Sequence, residues 1–133
     1  MGATRLRGAG QRIDITYSNE AKAGFFSWLS QHFPSAFIFV ECKNYGKEVG
    51  NPELDQLSGR FSPSRGKVGI LVCRSIEKPI PLEKRCIDTA KDHRGYILTF
   101  SDTELVELME AAKAGVRALD FPLIARKFRK LVD

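Results

Sequence analysis

The sequence predicts an α/β domain with a central mixed β-sheet flanked by helices. Three observations carry that expectation. Phe37–Val40, and Val68, Ile70, Leu71, Val72 and Cys73 within Lys67–Arg74, are apolar on both strand faces, as in strands covered by helices on either side. Arg12–Tyr17 alternates, with Ile13, Ile15 and Tyr17 on one face and Arg12, Asp14 and Thr16 on the other. The segments between and beyond these strands carry apolar residues at helical spacing. The expected order is strand, strand, helix, strand, helix, strand, helix, helix.

Each element has its own signal. Met1–Gln11 is too rich in glycine to make a good helix and contains no carboxylate. Ala21–Phe33 holds Phe25, Phe26, Trp28, Leu29 and Phe33, a helical or irregular apolar segment that Pro34 ends. These aromatics read as core or a dimer patch rather than a base-stacking platform. Phe37–Tyr45 is the first covered strand. Asn51-Pro52-Glu53 opens a helix whose buried stripe is Leu54, Leu57 and Phe61, with Asn51 as its cap. Ser62–Gly66 is a polar loop before the strand of Lys67–Arg74. Pro81–His93 reads as a helix with Leu82, Cys86, Ile87 and Ala90 inward, closed by Gly95. Tyr96–Phe100 is a strand. Ser101 and Glu104 have the spacing of a capping box for a helix running to Gly115, with Leu105, Leu108, Met109 and Ala112 on one side. Asp120–Val132 reads as a last amphipathic helix with Arg126, Lys127, Arg129 and Lys130 mostly outward.

At 133 residues, the chain has room for one domain. A net charge of +5 favours polyanionic partners only weakly, so the placement of charge decides more than its sum. Cys42, Cys73 and Cys86 are odd in number and far apart, which argues for reduced, buried thiols and against a disulfide framework or a zinc site. No apolar run approaches membrane-spanning length, and Met1–Arg12 lacks the apolar core of a signal peptide. The expectation is a soluble, cytoplasmic protein without a membrane partner.

The residues that carry chemistry stand at the end of the first covered strand. Glu41 and Lys43 are two apart, so both leave one face, roughly 6.6 Å apart along the strand. Charged side chains rarely occupy such positions unless paired or bound to an ion. Asp14 lies between two isoleucines on the polar side of the alternating strand. If the two strands are neighbours, two carboxylates and an ammonium meet. Magnesium takes oxygen ligands and keeps several waters, so two carboxylates and a substrate phosphate would complete a site. An adjacent lysine orients a water and offsets charge on the phosphate. The plainer reading makes Glu41 and Lys43 a surface pair on an edge strand and Asp14 an ordinary solvent-facing residue.

Asp14, then Glu41-Cys42-Lys43 after a hydrophobic strand, then a helix carrying Gln56, resembles the PD-(D/E)XK nuclease superfamily, the restriction-endonuclease-like fold. Within it, VECKNY followed by LDQLSGRF is similar to the restriction-endonuclease and resolvase-like branches, over Arg12–Arg74. The resemblance implies a magnesium-dependent endonuclease, with manganese able to substitute, acting on DNA ahead of RNA. It implies Asp14 and Glu41 as metal-binding carboxylates, the Cys42 carbonyl as a further ligand, Lys43 beside the attacking water and Gln56 as a positioning residue. Arg60 stands where some members carry tyrosine, on the helical face of Gln56, and Arg60, Arg65 and Lys67 surround a loop suited to tracking a phosphate backbone. Members begin with a helix bearing an acidic residue, which this chain lacks. The expectation is therefore a fragment of a larger protein, or a substitute carboxylate such as Glu20 or Glu53. Many members dimerise. The rival expectations are a catalytically inactive nuclease-fold module that binds nucleic acid or mediates assembly, and an unrelated α/β interaction domain.

Overall fold

A computed structural model describes residues 2–9, 12–43, 51–74, 76, 78–113 and 122–132. In chain order the elements are β1 (Gly2–Ala9), β2 (Arg12–Ser18), α1 (Gly24–His32), β3 (Phe37–Lys43), α2 (Asn51–Ser58), β4 (Val68–Cys73), α3 (Pro79–Lys91), β5 (Tyr96–Ser101), α4 (Asp102–Lys113) and α5 (Pro122–Val132). The five strands form one sheet in sequential order. β1, β2 and β3 are antiparallel, and β3, β4 and β5 are parallel, so the sheet is mixed as expected.

The first element is one the sequence pattern did not announce. Gly2–Ala9 lacks strand-like alternation, yet it pairs along β2 with a register shift between Ala3 and Arg5. Without it β2 would be an edge of unpaired backbone groups. An edge strand tolerates glycine because it is paired along one side only. Several helix boundaries also move, α1 starting at Gly24 rather than Ala21 among them. α3 starts at Pro79 rather than Pro81, since a proline in the first turn needs no intrahelical N–H partner. α2 stops at Ser58, before Phe61. The expected helix end at Gly115, and Asn44 and Tyr45 of the expected strand, lie outside the described residues.

The register sorts the strands into two faces. One face carries Phe39, Glu41 and Lys43 of β3 beside Gly69, Leu71 and Cys73 of β4. α2 covers it. Leu57 and Phe61 crowd Gly69 so closely that a Cβ there would come within 3.0 Å of both. Rows such as Ile38, Val68 and Tyr96 occupy the other face. There α1 and α5 meet over the sheet, with the Phe128 ring 5.0 Å from Phe33, 5.3 Å from Tyr96 and 5.6 Å from Phe25. Most of these aromatics are therefore core, with Phe128 only 1% exposed, whereas Trp28 is 44% exposed. α3 packs against β5 and α5, and α4 against β5. The capping box forms reciprocally. Ser101 N–H donates to Glu104 Oε1 at 3.1 Å, and Glu104 N–H donates to Ser101 Oγ at 3.3 Å.

Gly95 is where the turn after α3 meets the end of α2. Its φ of +142° is open to glycine alone, and a Cβ there would overlap the Phe61 ring and approach the Lys67 carbonyl oxygen to 2.9 Å. Backbone strain and overpacking each cost roughly 1–3 kcal/mol. Gly95→Ala should therefore lose about 3 kcal/mol of stability, read from the midpoint of urea unfolding. An unchanged midpoint would mean that Phe61 is not held where this packing has it.

Candidate active site

β2 and β3 are neighbours, and their register sets Asp14 directly opposite Glu41. Cross-strand partners leave the same face with Cβ atoms about 5 Å apart. Lys43 is two residues beyond Glu41 and shares that face. The three sequence-selected residues are thus brought together by one register. The carboxylate of Glu41 is 1% exposed and the ammonium of Lys43 7%, with Lys43 Nζ 3.5 Å from Glu41 Oε1. Their burial is tertiary in origin, because β3 lies between β2 and β4 and beneath the α2 side of the sheet. A buried ion pair of this kind is a poor stabilising device, since its desolvation cost rivals the Coulombic gain. The edge-strand reading of Glu41 and Lys43 does not describe this interior position.

Asp14 is half-buried and has a cation of its own. Arg60 Nη1 lies 4.0 Å from Asp14 Oδ1, while Arg60 Nη2 donates to Thr16 Oγ1 at 2.9 Å. The same guanidinium lies over the Phe39 ring, 4.9 Å from its centroid. Asp14, Glu41, Lys43 and Arg60 form a quartet of two carboxylates and two cations. Arg60 does not extend the α2 face of Gln56, because the helix ends at Ser58 and Arg60 sits in the following turn, its N–H bonded to the Leu57 carbonyl. That turn swings the side chain onto the sheet instead of out toward solvent.

The remaining sequence-selected residues lie elsewhere. Gln56 is exposed, about 150° around α2 from the buried stripe of Leu54, Leu57 and Ser58, so it is not brought to the carboxylates. Arg65 also lies over the Phe39 ring, 5.0 Å from its centroid. Lys67 donates to the His93 carbonyl at 3.4 Å, at the end of the sheet where β4 begins. It stands four residues before Leu71, the register partner of Glu41, and so roughly 13 Å along the strand from the site. The three cations therefore do not ring one loop beside the carboxylates. Glu20 follows the far end of β2 and is exposed. Glu53, in the first turn of α2, is nearer, for its charge acts on Cys73, the register partner of Lys43.

Carboxylate oxygens are hard donors of the type that magnesium and manganese take, so the donor set of Asp14 and Glu41 fits such an ion. Among the described residues no group of three or more His, Cys, Asp or Glu is arranged around a common point. The cysteines are free, Cys73 and Cys86 buried and Cys42 half-buried. The Cys42 carbonyl belongs to the backbone between Glu41 and Lys43, while its side chain leaves the opposite face. Burial raises the Cys42 thiol, and Asp14 and then Glu41 raise it further.

A feature that the sequence did not reveal lies two strands away. A cavity of about 530 Å³ opens between α3, β5, α4 and α5, lined by Arg74, Leu82, Cys86, Ser101, Lys127 and Lys130, among others. Lys127, expected to face outward, turns in to Glu104 at 2.6 Å and over the Phe100 ring at 5.0 Å, while Lys130 pairs with Glu83 at 3.6 Å. Three stretches separated in the chain build this space, so no local motif marks it. The one usable signal is general: open α/β sheets bind ligands beyond the carboxyl ends of their parallel strands.

Burial, followed by the charge of Glu53, pushes the Cys73 thiol from the ordinary value of 9.0 to about 11. Burial, followed by Glu83, pushes Cys86 to about 12. Both are protonated near neutrality and unsuited to thiolate chemistry. In the unfolded chain they would ionise near pH 9, while the folded chain still holds their protons. Stability should therefore be constant with respect to these thiols below pH 9 and fall as pH rises toward 11–12. Each thiol adds a slope of up to about 1.4 kcal/mol per pH unit. Denaturant melts from pH 8 to 11 should show a shallower decline for the Cys73→Ala/Cys86→Ala double variant than for the native chain. Equal slopes would remove the buried-thiol explanation.

The chain was compared with protein-family models, with curated proteins and with solved structures, and it matches none of them.

Proposed function

We propose that this chain is a metal-dependent nuclease domain that hydrolyses phosphodiester bonds, with DNA as the substrate. The observation that carries this reading is the register pair of Asp14 and Glu41, on one face with a desolvated Lys43. Asp14 and Glu41 would hold magnesium or manganese, which when bound supplies Lewis-acid polarisation of a phosphoryl oxygen. Lys43 has three N–H donors and a fixed positive charge close to Glu41, suited to orienting an attacking water and offsetting negative charge that builds on the phosphate. Arg65, exposed over Phe39, is the cation best placed to meet a flanking phosphate from solvent. Gln56 has no assigned role in this reading. Nothing in it requires a membrane, and among the described residues no helix is long and apolar enough to cross one.

A second reading has an observation of its own. Each carboxylate of the quartet already faces a cation, Lys43 for Glu41 and Arg60 for Asp14. A module that kept the nuclease scaffold for binding nucleic acid or for assembly, without cleavage, would be stable in that state.

One experiment separates the two. Supercoiled plasmid incubated with the chain should be nicked or linearised with magnesium or manganese and left intact with chelator. Glu41→Gln and Lys43→Met, chosen to stay close in shape, should each slow cleavage at least about a hundredfold. Circular dichroism melts would verify folding, because breaking one side of a buried pair costs about 3–5 kcal/mol. Unaltered cleavage by both folded variants would refute the nuclease assignment. Salt-sensitive DNA binding without any metal-dependent cleavage would favour the second reading.

A further inference from the structure

We infer that Arg60 is a built-in competitor for the cation site, holding Asp14 when no divalent ion is bound and yielding it when one binds; this rests on the metal-dependent reading above. Three contacts with described residues bear on where the guanidinium sits. It is bonded to Thr16 Oγ1 at 2.9 Å, faces Asp14 Oδ1 at 4.0 Å and lies 4.9 Å from the Phe39 centroid. Asp14 and Thr16 are two apart on β2, and their register partners on β3 are Glu41 and Phe39. All four therefore share one face, and the guanidinium spans the β2–β3 seam beside the paired carboxylates.

A dication held by Asp14 and Glu41 would claim the carboxylate oxygen that Arg60 faces, and would repel the guanidinium at short range. A guanidinium cannot relieve that repulsion by losing a proton, so it must move. Arg60 is built to do so. It springs from the turn after α2 rather than from the sheet, and its side chain is 26% exposed, against 7% for Lys43 on β3. Its departure leaves every strand pairing intact. Lys43 has no comparable exit, which divides the two cations of the quartet into a fixed one and a displaceable one.

The test uses manganese alone with the full chain, following free Mn2+ by electron paramagnetic resonance. Arg60→Gln should bind Mn2+ about tenfold more tightly than the native chain. Arg60→Lys, which keeps the charge, should stay within about threefold of native. Thr16→Val removes the hydrogen bond that anchors the guanidinium while leaving the arginine in place, and should tighten binding about threefold. Saturating Mg2+ should also abolish nuclear Overhauser contacts between the Arg60 guanidinium and the Phe39 ring of the native chain, which a purely structural arginine would keep. Mn2+ affinities for Arg60→Gln and Thr16→Val at or below the native value, with binding abolished by Glu41→Gln, would overturn the competitor role and leave the cation site standing. No Mn2+ binding by any of these proteins at millimolar concentration would overturn the cation site and the competitor together.

Discussion

The antiparallel register of β2 on β3 is the constraint on which the site depends. Side chains alternate faces with a period of two, so a slip of one residue would send Asp14 to the opposite face from Glu41. The register is pinned from both sides. Ile15 and Tyr17 pair with Val40 and Ile38, keeping apolar residues together on one face. On the other, Thr16 pairs with the fully buried Phe39 and Asp14 with the almost fully buried Glu41. Hydrophobic burial thus fixes a geometry that electrostatics alone would resist, since two carboxylates set opposite each other repel.

That repulsion is offset locally. Lys43 supplies one positive charge from the same strand, and Arg60 supplies another from the turn after α2. The position of that turn depends on packing some distance away. Phe61 fits against Gly69 and Gly95, both of which lack the Cβ that would exclude it. The chain between Ser58 and Phe61 is drawn down on the sheet as a result, and Arg60 is carried with it. A pair of glycines in β4 and before β5 therefore contributes to the electrostatics of a pair of acids in β2 and β3.

The parallel half of the sheet extends the same logic. Lys43, Cys73 and Ser101 stand in one row at the carboxyl ends of β3, β4 and β5. The ionic quartet lies toward one end of that row and the cavity lined by Ser101, Lys127 and Lys130 at the other. Between them sits Cys73, protonated and apolar in character, which separates two polar regions of the edge without adding charge.

Much of the fold could be read directly from the residues. Double-sided apolar runs at Phe37–Val40 and Val68–Cys73 gave covered strands because burial on both faces leaves no polar positions. The alternation of Arg12–Tyr17 gave β2, and the spacing of Ser101 and Glu104 gave a helix start whose hydrogen bonds are local. Glu41 and Lys43 stood out for the same reason, as charges within an apolar pattern. β1 escaped notice because its place comes from pairing along β2 rather than from its own residues. Sequence alone determined which charges were candidates, since covalent spacing decides which side chains leave one strand face together. Only the tertiary structure decided that Asp14 meets Glu41, that Arg60 joins them and that Gln56 and Lys67 do not. Those outcomes depend on strand register and on where a helix ends, and both are settled by contacts between residues far apart in the chain.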